Sequence, residues 1–196
     1  MKGYLFAVVL VLLAFAGFAF NEQPQRKKAD VISRGKYLVT VGGCNDCHSP
    51  KVFTAMGPVP DSTRLLSGHP AVSTLPEIPQ NVLAPEKWGA LTTGDLTAWA
   101  GPWGVSFTRN LTPDTATGLG SWTPEMFIKA MRTGKDMGEG RDILPPMPWF
   151  NFAQMTDHDL RAIFEYLRSL KPIDNAVPDP ISPTGQRLPT GKMAPK

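Results

Sequence analysis

Residues Tyr4–Phe20 form an unbroken apolar run of seventeen positions behind the short basic opening Met1–Lys2–Gly3. As helix it would span roughly 26 Å, a little less than a hydrocarbon core of about 30 Å. Asn21–Lys28 is polar and basic and reads as a linker. Asp30 is placed to cap a helix over about Val31–Val41, and Gly42–Gly43 would stop it. A second helix is signalled by Thr123–Pro124, with Met126, Phe127, Ala130 and Met131 on one face and Gly134 after it. The third begins at Thr156 with Asp159 three positions on. Leu160, Ile163, Phe164 and Leu167 follow at helical spacing, and Pro172 closes it.

Between Ser49 and Ser121 the pattern fades. Periodicity is weak, prolines are frequent, and Trp88, Trp99 and Trp103 are scattered through expected loops. So long a stretch without structure of its own is unusual unless a large cofactor gives it something to pack on. Asp174–Lys196 has little to bury and reads as a tail that wraps or dangles. The resulting plan is a signal peptide or N-terminal membrane anchor over 1–20, a linker over 21–28, one folded domain over 29–172 and a proline-rich tail over 173–196. The expected class is all-α, with three to four short helices and a long proline-rich insertion.

Composition narrows the classes. A chain of 196 residues suits one well-buried domain. The net charge of +3 comes with no basic stripe interleaved with aromatics, so nucleic acid is not an expected partner. Twenty prolines favour extended and loop backbone. Ala14–Phe15–Ala16 and Gly17–Phe18–Ala19 both resemble cleavage sites after an export signal, so the body is expected outside the cytoplasm, free or tethered by residues 4–20.

Both cysteines lie in Cys44–Asn45–Asp46–Cys47–His48, the C-x-x-C-H pattern of haem attachment. Two thiols at this spacing can add to the two vinyl groups of one porphyrin while the adjacent imidazole reaches the iron. A thioredoxin-like pair would need a strand–turn–helix setting. A zinc site would need a second pair of ligands. One covalent haem c is therefore expected, with Cys44 and Cys47 as attachment sites and His48 as an iron ligand.

For the opposite ligand the strongest candidate is Met147, in Leu144–Pro145–Pro146–Met147–Pro148–Trp149. Three prolines preset that backbone, so a thioether is presented with little ordering cost. His69, Met137 and Met155 are the alternatives; His158 is expected at the surface, and Met126 and Met131 in helix packing. His/Met ligation raises the haem potential, which suits electron transfer.

The motifs resemble those of the class I cytochrome c family, above all the haem domains in cytochrome subunits of bacterial membrane-bound alcohol and sugar dehydrogenases. The matching stretches are Arg34–Leu38, Gly42–His48, Asn110–Asp114, Thr117–Trp122, Leu144–Pro148, and Asp157–Leu160 running into Tyr166–Leu170. The resemblance implies thioethers at Cys44 and Cys47, His48 as proximal and Met147 as distal ligand, and a first and last helix crossing where Gly35 meets Tyr166. It also implies a single-electron carrier rather than an enzyme. A dehydrogenase or respiratory complex would be the donor, and an oxidase or another cytochrome the acceptor. Such subunits carry several haem motifs, whereas this chain has one. The alternative function is a haem enzyme, peroxidase-like or a small-molecule oxidoreductase, with a displaceable distal ligand. Arg109, Asn110 and Trp122 are candidates to reach the haem propionates, or are packed turn residues.

Overall fold

The structure is a computed structural model that describes residues 25–79, 81–84 and 86–188. The apolar run Tyr4–Phe20 lies outside the described residues. Among those described, no helix is long and apolar enough to cross a membrane.

Helix α1 runs over 25–41, so it includes the end of the expected linker, and Asp30 lies inside it rather than at its cap. Gln, Arg, Lys and Ala are good helix formers, so Gln25–Ala29 offers no reason to stop. Gly35, Leu38 and Val39 are its buried face. At Gly35 it crosses α5 (Asp157–Arg168) so closely that a Cβ there would sit 1.9 Å from Ala162 O and 2.7 Å from Tyr166 Cβ. The expected Gly35–Tyr166 crossing is therefore present. Arg34 donates to Asp159 (3.0 Å) beside it, and this guanidinium holds the Asp159 carboxyl below its usual range.

Helix α3 (Pro124–Thr133), which the single-turn α4 (Trp149–Phe152) follows along the chain, starts as its sequence indicates. The Thr123 hydroxyl accepts from Met126 N, Pro124 opens the first turn, and left-handed Gly134 closes the last. Thr156 caps α5 the same way by accepting from Asp159 N. The Asp159 side chain turns to Arg34 and does not complete a capping box. The α5 stripe of Leu160, Ile163, Phe164 and Leu167 is buried against Leu38, Val39, Phe127, Ala130 and Met131, with the Phe127 and Phe164 rings 5.5 Å apart.

The insertion is not only loop. Strands β1 (Lys51–Thr54) and β2 (Gly57–Pro60) form an antiparallel hairpin. Strands β3 (Leu91–Thr92), β4 (Ala98–Gly101) and β5 (Gly104–Phe107) form an antiparallel sheet in that order. Strands of two to four residues are too short to show a period of two in sequence. Gly104 turns the β4–β5 hairpin at φ +97, and a Cβ there would sit 2.0 Å from Ile181 O.

That contact belongs to the tail, which wraps. Val105 and Ile181 exchange backbone hydrogen bonds at 2.7 and 2.9 Å, adding a rung to the free edge of β5. Buried Asn175 donates through Nδ2 to Ser67 O (2.7 Å) and His69 O (2.9 Å), and its Oδ1 accepts from Ala71 N (3.0 Å). Asn110 is fully buried in a second bracket, donating to Ile173 O (2.8 Å) and accepting from the Thr112 amide and hydroxyl.

Candidate haem site

A cavity of about 430 Å³ opens between the Cys44–His48 turn, α3, α5 and the insertion. Helix α2 (Cys44–His48) is a single turn that follows α1 through left-handed Gly43. The C-x-x-C pair thus sits after a helix and not at the strand–turn–helix of a thiol oxidoreductase. Cys44, Cys47 and His48 all line the cavity. Burial pushes the Cys44 thiol up to about 11 and raises Cys47 as well. Both are neutral thiols at physiological pH, the reverse of the depressed thiol needed for disulfide exchange.

His48 Nδ1 lies 2.8 Å from Arg109 O. A carbonyl can only accept, so Nδ1 carries the proton and Nε2 keeps its lone pair. Burial lowers the His48 pKa and keeps the ring neutral. The far end of α2 is pinned by Gly68 N donating to His48 O (2.7 Å). A neutral imidazole oriented by a backbone carbonyl is the usual state of a metal-binding histidine.

The remaining wall is mostly apolar. Leu111, Leu119, Leu160, Ile163 and Leu167 line one side, with Phe127, Ala130 and Met131 from α3. Leu144–Pro148 supplies another part of the wall, so Met147 shares the cavity with Cys44, Cys47 and His48. The other ligand candidates are placed elsewhere. Met137 and Met155 are half-buried against the core but do not line the cavity. His158 is exposed on α5.

His69 is 1 % exposed and also outside the lining, its ring 4.9 Å from Phe107. Thr97 donates its hydroxyl proton to Asp95 (2.8 Å), so it accepts from His69 Nδ1 (2.8 Å), leaving buried Nε2 without a partner. Burial lowers the His69 pKa. Below the ordinary histidine value of about 6.5, the unfolded chain binds a proton that the folded chain refuses. Stability should therefore fall with pH in that range, by up to about 1.4 kcal/mol per pH unit, until the folded-state pKa is reached. His69→Gln should remove this component. Urea midpoints of the two proteins at pH 7 and pH 5 measure the difference.

A polar group interrupts the apolar wall where Arg109, Trp122, Asp136 and Arg141 meet the cavity. The Arg109 guanidinium lies 5.0 Å over the Trp122 ring and pairs with Asp136. Nε of Arg109, Nε of Arg141 and Oδ2 of Asp136 are buried without partners. Burial lowers the Arg141 pKa, with Asp136 acting in the opposite direction. Arg109 and Trp122 are thus at the cavity, while Asn110 is in the bracket to Ile173. Sequence reasoning passed over Asp136 and Arg141. The only sequence signal was two opposite charges enclosing the glycine-rich stretch Met137–Gly140, a weak mark for a buried pair.

Arg109 and Arg141 are half-buried, face Asp136 with Asp179 also acting on Arg141, and each keeps a buried Nε–H without a partner at the cavity. A flat apolar macrocycle bearing carboxylates fits that wall, and two thiols beside an imidazole fit its covalent attachment.

No protein-family model matches the chain. It is 28% identical over 188 residues, 93% of its length, to the gluconate 2-dehydrogenase cytochrome c subunit of Pantoea cypripedii. It is 28% identical over 195 residues, 97% of its length, to the cytochrome c subunit of the quinone-type alcohol dehydrogenase of Gluconobacter oxydans. A 148-residue match at 26%, 75% of the chain, is to the fructose dehydrogenase cytochrome subunit of Gluconobacter japonicus. The chain covers 33%, 32% and 23% of these three relatives, respectively. Similarity at 26–28% identity over most of the chain, together with a C-x-x-C-H whose thiols and imidazole line one cavity, supports a cytochrome c of the kind found in cytochrome subunits of membrane-bound dehydrogenases.

Proposed function

We propose that the chain carries single electrons between extracytoplasmic redox proteins on one covalent haem c, attached at Cys44 and Cys47 and ligated by His48 and Met147. The fold is then a cytochrome c helical core with the two small sheets as an insertion. The observation that carries the reading is the His48–Arg109 hydrogen bond, which frees Nε2 in a cavity shared by both thiols and Met147.

Bound haem supplies a one-electron iron centre. The chain's residues do the rest. Arg109 O fixes the His48 tautomer, and burial keeps that ring unprotonated. Met147 offers a soft sulfur that favours the reduced state. Arg109 and Arg141 would hold the propionates through Nε–H groups that are buried without partners. The apolar helical wall excludes water and keeps solvent reorganisation small. With His48 and Met147 both holding the iron, no position would remain open to substrate, so the role is carriage, not catalysis.

By analogy with the relatives' names, a dehydrogenase is the donor, and an oxidase or another cytochrome accepts the electron. Export through residues 4–20, with or without retention in the membrane, brings both cysteines to the compartment where haem is attached. The test is extraction with acidified organic solvent followed by the pyridine spectrum. The protein should keep its colour and give the signature of saturated vinyl groups. The double variant Cys44→Ala, Cys47→Ala should release all haem. Loss of haem from the unaltered protein would overturn the proposal.

A further inference from the structure

The prolines that preset the Met147 loop also leave it short of ways to be held. Pro145, Pro146 and Pro148 have no amide hydrogen, so the segment can be fastened from outside mainly through its carbonyls. Its ends are secured near α3: Ile143 N donates to Gly134 O (2.7 Å), and the Trp149 indole lies against Gly134. Between these anchors, the Ser106 hydroxyl of β5 donates to Pro145 O at 2.5 Å. Ser106 is 8 % exposed, and its oxygen accepts from Trp103 Nε1 at 3.3 Å. The indole donor orients the hydroxyl, leaving its proton for the proline carbonyl.

We infer that Ser106 is a positioning residue for the distal ligand, and that the β3–β5 sheet serves to clamp the Met147 loop against the cavity. The inference rests on Met147 being the distal ligand. It gives a role to the sheet within the insertion: Trp99, Ser106 and Phe107 of this sheet line the same cavity as Met147. The clamp acts two residues before the sulfur, so its loss should free the thioether to leave while the haem stays attached.

The experiment uses the full-length, haem-loaded protein. In the ferric state, the far-red band of methionine ligation reports the closed loop, and the limiting rate of cyanide binding at saturation reports its opening. Ser106→Ala should raise that rate roughly fivefold, the population change expected from one hydrogen bond of ordinary net worth. Ser106→Thr, which keeps a hydroxyl, should restore most of the native rate. Trp103→Phe should act in the same direction as Ser106→Ala and serves if that variant does not load haem. Val105→Ala trims the same strand without touching the hydroxyl and should leave the rate unchanged. A native far-red band with equal cyanide rates in native and Ser106→Ala protein would overturn the clamp while leaving Met147 as ligand. So would an acceleration by Val105→Ala as large as that by Ser106→Ala. Absence of the band from the native protein would overturn the ligand assignment and the clamp with it.

Discussion

Gly35→Val should leave almost no folded, haem-loaded protein. The substituted Cβ would fall 1.9 Å from Ala162 O and 2.6 Å from Ala162 C, and both are backbone atoms of α5 that no rotamer change can move aside. Helices α1 and α5 would have to part, opening the packing of Leu38 and Val39 against the α5 stripe. Even Gly35→Ala, which gains about 1 kcal/mol of helix propensity, should lose on the order of 3 kcal/mol net from overpacking. That is a large share of the 5–15 kcal/mol that typically holds a domain together. Valine adds two more methyl groups at the same point. Yield of covalent haem and the thermal midpoint measure both variants. Gly89→Ala is the control, because its Cβ would meet nothing within 4 Å. A Gly35→Ala protein as stable as the native one would contradict the crossing.

The second large effect is expected at Met147. Met147→Ala should abolish the far-red charge-transfer band of the ferric protein and admit cyanide rapidly. It should also lower the midpoint potential on the order of 0.1–0.3 V, within the roughly 0.8 V that axial ligands set across haem proteins. Met147→His should keep the iron six-coordinate and still lower the potential. Met137→Ala and Met155→Ala should keep the band, costing about 1–3 kcal/mol of stability, because both side chains pack on the core away from the cavity. Were His69 the ligand, the native protein would lack the band and Met147→Ala would leave its spectrum intact.

Legibility followed the range of the interactions involved. The cap at Thr123, the αL stop at Gly134 and the stripe from Leu160 to Leu167 are set by residues within a turn or two of each other, so the sequence displays them. C-x-x-C-H is equally local, and the proline frame singles out Met147. What stayed hidden depends on partners far along the chain. Arg109 meets Asp136 across 27 positions, Ser106 meets Pro145 across 39, and Asn175 reaches His69 across 106. The start of α1 was misplaced for another reason: Asp30 is a good cap residue, but nothing before it breaks a helix.

The strap formed by residues 173–188 also ties the far end of the described chain to the site. Its Asn175 supplies three hydrogen bonds to the segment around His69, and its Pro180 is part of the cavity wall. These residues are the last of the described chain to be synthesised. A nascent chain stopped near Pro172 has both thiols and the helices but lacks this closure. Truncation near Pro172 should therefore leave the thiols and helices in place and cost the site its closure.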